Sequence, residues 1–223
     1  MLHKCWIIFL VFCTATVVCV AQPSKQWPSF EQADRVAQLY HGASLENVFE
    51  LSLRLTESLP TEVEKFCALY RWVCFNITFD QALYVTHKQK IKAFRKDKER
   101  LQAWDREVTK QSFQRLRYEK LALCTTYAYL LKVMCAYAGL DCEMIDGYKY
   151  MDKKHDFLER PTHTWNAVMI EGVWYLCDPT WSSGGFDVQR NVFVHQYNDV
   201  YFLPSPDVFY RNHKPQDMRW RLF

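Results

Sequence analysis

His163-Thr-Trp-Asn-Ala-Val-Met-Ile170, then Glu171-Gly172, then Val173-Trp-Tyr-Leu-Cys-Asp178 is the stretch on which the fold turns. Two apolar runs rich in β-branched and aromatic residues flank a Glu-Gly pair, a signal for a two-residue hairpin loop. If Glu171-Gly172 is that loop, Ile170 faces Val173, and every pair behind it is fixed. Trp165 then faces Asp178, and His163 faces Thr180. Side chains alternate along a strand, so His163 and Trp165 share a face. His163 and Asp178 become diagonal neighbours on it, roughly 5–8 Å apart at their Cβ atoms. A carboxylate so placed holds the tautomer of an imidazole and favours its charged form. Taken singly, a strand-edge His and a turn-initiating Asp before Pro179 are ordinary structural residues.

Upstream, Leu123-Cys124-Thr125-Thr126-Tyr127-Ala128 opens a helical pattern. Tyr127, Leu130, Leu131, Met134 and Ala138 fall on one face, and Gly139 ends it. A cysteine in the first turn of a helix feels the positive end of the macrodipole, which favours the thiolate. The first-turn amides can also stabilise an oxyanion. A lone cysteine is by default a buried structural residue. The three segments together offer more: a thiol nucleophile, an imidazole base and an orienting carboxylate, the set that acyl transfer through a thioester requires. A helix start carrying Cys124, packed on the face shared by His163 and Asp178, completes the site.

Before these segments the chain reads as helical. Residues 30–40 and 45–59 have mixed helical patterning, with Pro60 as a stop. Thr61 and Glu64 form a capping box, and the helix they open should run to about Cys74. A turn follows over residues 76–80. Residues 88–110 hold nine basic and four acidic side chains. With a sparse apolar stripe, they read as one solvated amphipathic helix inserted before Cys124. After Tyr148 the pattern changes to strands, with short ones expected at 192–194 and 200–203 and an irregular tail beyond Pro204. Helices first and an antiparallel sheet second make the class α+β.

The 223 residues leave room for one ordinary domain, and a hydrophobic fraction of 49% is ample for its core. A net charge of +3 gives no argument for nucleic acid. There is no Gly-rich phosphate loop, no paired CxxC and no readable zinc or calcium site, so neither cofactor nor metal is expected. Residues 1–21 read as a secretory signal peptide: a charged start, an apolar run from Cys5 to Val20 and a small residue at Ala21. The run is short for a membrane span, and an uncleaved anchor is the alternative. Export places the mature chain in an oxidising compartment with six cysteines. Cys135 and Cys142, on either side of Gly139, are the best candidates for a disulfide. Cys67 and Cys74 lie roughly 10 Å apart on one helix, too far to bridge. Buried reduced thiols are the alternative for all of them.

These motifs resemble the transglutaminase-like superfamily of papain-like fold, most closely the branch containing the kyphoscoliosis peptidase. The likeness runs from about Phe66 to the C-terminus. It rests on Arg71-Trp72-Val73 with Asn76-Ile77-Thr78-Phe79-Asp80, the Cys124, His163 and Asp178 segments, Gly147-Tyr148, and the tail from Tyr201 through His213, Pro215 and Trp220. The resemblance implies a transglutaminase-like, papain-like cysteine-protease core with N-terminal helices packed on an antiparallel sheet. It implies Cys124 as nucleophile, His163 as general base and acid, and Asp178 as orienting carboxylate, acting on a protein or peptide substrate. The domains are then 1–21 (signal peptide), 22–60 (N-terminal helical segment) and 61–223 (the transglutaminase-like domain with its charged insertion at 88–110). Two positions depart from the family, which reads Gly-x-Cys-x-Gly: they are Ala122 and Thr126 here. Thr126 is β-branched and would crowd a substrate or alter the oxyanion geometry. The alternative to a cysteine peptidase or acyltransferase is therefore a weak or inactive protein-binding module. Asn76-Ile77-Thr78 is also a glycosylation sequon inside the family motif.

Overall fold

The computed structural model describes residues 27–149 and 160–222. The expected signal peptide lies outside the described residues.

Three helices come first. α1 (Glu31–Leu39) lies against the third helix, and α2 (Val48–Thr56) is capped by Asn47, whose side chain accepts the Glu50 N–H at 3.1 Å. α3 (Glu62–Asn76) begins at the expected capping box: Thr61 Oγ1 accepts the Glu64 N–H, and the Glu64 carboxylate accepts the Thr61 N–H. It is buried on nearly every side and carries Phe66, Tyr70 and Trp72 into the main core.

The chain then forms β1 (Thr78–Phe79), leaves the core as α4 (Gln81–Phe94), returns as α5 (Lys98–Glu119) and re-enters through β2 (Leu121–Ala122). β1 and β2 pair in parallel, Thr78 with Leu121 and Phe79 with Ala122. The charged stretch is thus part of a two-helix excursion over 81–119, which corrects the reading of one helix over 88–110. The break is local chemistry. Asp97 accepts the Arg100 N–H at 3.0 Å and starts a new helix inside the charged run. Asp80 caps α4 through the Leu83 N–H at 3.0 Å. The same buried carboxylate takes the Arg115 guanidinium of α5, which ties the base of the excursion together.

α6 (Cys124–Tyr137) follows, and Gly139 at φ 75° turns the chain into β3 (Cys142–Lys149). β4 (His163–Ile170) and β5 (Val173–Cys177) keep the hairpin register: Ile170 opposite Val173, Asn166 opposite Cys177. Glu171 and Gly172 sit at φ 52° and 79°, positive at both loop positions as a type I′ turn demands. Beyond β5 come α7 (Pro179–Ser182), a small hairpin of β6 (Gly184–Asp187) and β7 (Val192–His195), α8 (Pro206–Phe209) and β8 (His213–Pro215). The expected strand at 200–203 is instead a 3₁₀ turn, Asp199–Tyr201, capped by Asn198. Phe202 makes one isolated bridge to Cys177 and buries its ring against Phe30 and Phe66.

The main sheet has the order β5-β4-β3-β8 and is antiparallel throughout. Both faces are covered. Val168, Ile170 and Tyr175 join the main core with α3 and α6. Ile145, Trp165, Ala167 and Leu176 form a second core with Phe209, Trp220 and Leu222 of the tail. This is the expected α+β arrangement of N-terminal helices on an antiparallel sheet. No described helix is long and apolar enough to cross a membrane. The six described cysteines are free thiols. The fold-back at Gly139 does bring Cys142 to Cys135, but as two buried free thiols.

Candidate active site

Asp178 is fixed first. Its backbone N–H donates to the Tyr201 carbonyl at 3.0 Å, and its side chain caps α7: Oδ1 accepts the N–H groups of Thr180 (2.9 Å) and Trp181 (3.1 Å). The helix behind it is clamped by α3. Tyr70 donates its hydroxyl to Ser182 Oγ at 2.7 Å and reaches the Tyr201 carbonyl at 2.9 Å, and the Cys74 thiol reaches the Pro179 carbonyl. The other carboxylate oxygen, Oδ2, meets His163 Nε2 at 2.6 Å. Both residues are buried.

With Nε2 on Asp178, the second ring nitrogen of His163 faces the Cys124 thiol. Nδ1 has no partner of ordinary hydrogen-bond geometry, and the interaction between thiol and ring favours thiolate and imidazolium together. Burial opposes charge on either group. On Cys124 it is outweighed by His163, the Lys149 ammonium and the Thr164 N–H, so the thiol lies below its ordinary range. On His163 it is outweighed by Asp178 and then Cys124, and the ring is pushed up to about 9. Burial also opposes the Asp178 carboxylate, but His163 and then His213 hold it well below the usual range. Cys124 keeps partial solvent access. The Trp181 ring stacks on His163 at 5.4 Å, and the Lys149 ammonium lies 6.0 Å from the Trp181 ring and 5.7 Å from that of Tyr84 on α4.

The three expected residues thus converge, though not by the expected packing. α6 does not cover the face that carries His163. Thr164 and Asn166 point at it: Thr164 Oγ1 lies 3.2 Å from Thr125 Oγ1, and Asn166 donates to the Ala128 carbonyl at 3.0 Å. His163 and Trp165 point the other way, toward the tail. The apolar face of α6 needs Val168 and Ile170, while Phe209 and Trp220 claim the opposite side. Cys124 meets the imidazole because it opens α6 just where His163 opens β4.

The family model of the Transglutaminase-like superfamily matches residues 50–179, which include all three of these side chains. The chain belongs to the transglutaminase-like superfamily. Kyphoscoliosis peptidase of Homo sapiens is 32% identical over 176 residues, 78% of this chain and 24% of that protein. The Mus musculus protein of the same name gives the same figures. Hillarin of Drosophila melanogaster is 24% identical over 222 residues, covering 86% of this chain and 23% of its own. The chain spans about a quarter of the length of these curated relatives.

Two departures of this transglutaminase-like domain can now be placed. Ala122 lies in β2 at negative φ, where glycine is not required. Thr126 does not face the substrate side. Its hydroxyl bonds Ser112 Oγ of α5 at 2.8 Å and accepts the Leu123 N–H at 3.0 Å, and the residue is buried. That corrects the expectation of crowding. Leu123 itself offers no side-chain acceptor, and its carbonyl takes the Thr126 N–H at 3.0 Å, so the amides of Cys124 and Thr125 are the ones placed to face a developing oxyanion.

Sequence reasoning gave His213 a place in the family's tail but no role. Its Nε2 lies 3.0 Å from the same Asp178 oxygen that His163 uses. No periodicity could have found this, because the contact spans 35 residues and depends on β8 pairing with β3. Lys149 and Thr164 were also missed, for the same reason. His163, Asp178 and His213 bring candidate metal-ligand atoms within 4.8 Å of one another. Both rings already address Asp178 Oδ2, and a cation would have to displace both hydrogen bonds. The sequon is not presented by the folded chain. Asn76 is buried, its oxygen accepts the Gly42 N–H at 2.6 Å, and its amide donates to the Trp72 carbonyl at 2.8 Å.

Proposed function

We propose that this chain is a cysteine peptidase or acyltransferase that acts on protein amide bonds through Cys124, His163 and Asp178. The observation that carries the reading is His163 bonded through Nε2 to a buried carboxylate, with the Cys124 thiol near enough for each to favour the other's charged form. The Cys124 thiolate attacks the carbonyl carbon, and the first-turn amides of α6 face the oxyanion. The C–N bond breaks as the His163 imidazolium gives its proton to the leaving amine. A thioester remains on Cys124. Neutral His163 then takes a proton from water or from an acceptor amine, which attacks the thioester and frees the thiol. Water as acceptor gives hydrolysis; an amine gives transamidation.

The peptidase named among the relatives tilts the reading toward hydrolysis. Thr126, turned to α5, gives no support to an inactive binding module. The apolar run at Cys5 to Val20 supports export of the protein. The test is alkylation of the folded protein with iodoacetamide from about pH 5 to about pH 9. One hyperreactive thiol at Cys124, slowed in His163→Ala, is expected. A Cys124 no faster than a free cysteine would overturn the proposal.

A further inference from the structure

Asp178 is saturated. A carboxylate oxygen has two lone pairs. Oδ1 spends its pair on the Thr180 and Trp181 amides, and Oδ2 lies 2.6 Å from His163 Nε2 and 3.0 Å from His213 Nε2. An ionised carboxylate only accepts, so each ring must carry a proton on Nε2. For His213 the question is whether Nδ1 carries one too.

The surroundings decide against it. His213 is fully buried in an aromatic box. Phe209 stacks on it at 4.1 Å, with Trp181 at 4.5 Å and Trp165 at 5.0 Å. The charged or titratable groups that face it are Asp178, the Tyr201 ring and the His163 ring, 5.5 Å away. Two imidazolium ions at that distance would share one carboxylate in a dry site. Burial presses His213 toward neutrality and the neighbouring His163 adds to it; Asp178 and the Phe209 backbone act the other way and are outweighed. Neutral, it has a lone pair on Nδ1, which lies 2.7 Å from the side-chain amide of Asn212. In the structure Asn212 Oδ1 faces Nδ1 and its Nδ2 donates to the Tyr201 hydroxyl at 2.9 Å; a neutral ring protonated on Nε2 requires this amide to be turned over, with its NH₂ toward His213 and its carbonyl toward Tyr201. Every donor then has an acceptor along a line from Tyr201 through Asn212 and His213 to Asp178.

We propose that His213 is a positioning residue, a neutral ring that donates from Nε2 to Asp178 Oδ2 and moderates the carboxylate that holds His163. The proposal rests on the reading of Cys124, His163 and Asp178 as the reacting set. Its consequence is a balance. A carboxylate with a vacant lone pair would hold the proton of the His163–Asp178 pair more tightly and would slow its delivery to a leaving amine. His213 takes up that lone pair and keeps His163 a usable acid. The residue lies outside the span 50–179 that the family model matches, and the tail delivers it through β8.

The test is nitrogen-15 NMR of the histidine rings, with Cys124 alkylation measured on the same samples. In the wild type, His213 is expected as the Nε2–H tautomer, neutral through the neutral pH range. His213→Phe keeps an aromatic ring but removes the donor, and should raise the His163 titration by about one pH unit, about tenfold in proton affinity. His213→Gln restores a donor near the same place and should return most of that shift. A wild-type His213 without a proton on Nε2 overturns the proposal even if the Phe variant does not fold. So does a folded Phe variant whose His163 titration stays within about 0.3 unit of wild type, or a Gln variant that matches Phe. An ordinary, unreactive Cys124 in the wild type would sink the proposed function instead. The ring titrations judge His213 separately.

Discussion

Replacing Asp178 with Asn tests the electrostatic core of the site. The Asn oxygen can still accept the Thr180 and Trp181 amides, so the cap on α7 survives. What disappears is the negative charge beside His163. The ring stands at about 9 against an ordinary 6.5, a rise of about 2.5 pH units. At about 1.4 kcal/mol per unit, this represents about 3 kcal/mol in favour of the charged ring. Burial acts against that charge, so without Asp178 the ring should fall to 6.5 or lower. At about pH 7.5 the imidazolium then drops from nearly complete to about a tenth of the molecules or less. Cys124 loses its first support against burial and returns toward the ordinary thiol value of 9 or above. Only about 3% of it is then thiolate at that pH. Iodoacetamide alkylation should therefore slow by about tenfold or more near pH 7.5. The gap must close as pH rises past about 9, because the wild-type ring loses its proton there while the variant thiol ionises. Stopped alkylation followed by mass spectrometry reads the rate at Cys124 alone. A folded Asp178→Asn protein with a rate within about twofold of wild type near pH 7.5 would refute the reasoning.

Gly147 stands beside His163 in the register, and a Cβ there would sit 2.2 Å from the Trp165 ring and 2.3 Å from the Lys214 carbonyl. Gly147→Ala should cost at least about 2 kcal/mol and lower the melting temperature, since the carbonyl is backbone and has little room to yield. Thr126→Gly, which restores the family's residue, should not speed Cys124 alkylation; it should lose about 1 kcal/mol in urea unfolding, because the hydroxyl serves Leu123 and Ser112. Asp80→Ala should cost about 3 kcal/mol, leaving Arg115 without its buried partner and α4 without its cap. Hydrogen exchange should then rise at the base of the α4–α5 excursion before it rises in the main sheet.

What was legible in the sequence was local. The Glu171-Gly172 loop fixed a register that runs unbroken to Asn166 and Cys177. Thr61 with Glu64, and Gly139, marked helix ends that the folded chain uses. The misreadings arose where a distant partner decides. The β-branched look of Val200 suggested a strand, but Asn198 capping and the demand for Phe202 in the core make a turn. Asp97 looked like one more charge in a charged run, and its capping role depends on where α5 starts. Thr126 looked like an obstacle because the sequence does not say that Ser112 stands next to it. The face chosen by α6 followed from which side the tail occupies, and His213 arrives with that tail.

The parallel pairing of β1 with β2 has a consequence for the history of the chain. The excursion leaves and re-enters at neighbouring points, so the distance between its ends does not depend on the length between them. Helical turns can be added or removed at the far tip without shifting one residue of the main sheet. The freedom stops near the base, where Ser112 and Arg115 of α5 are bonded to Thr126 and Asp80. Length variation among related chains should therefore gather at the 94–98 turn, while the segment from Ser112 to Ala122 travels with the nucleophile as one unit.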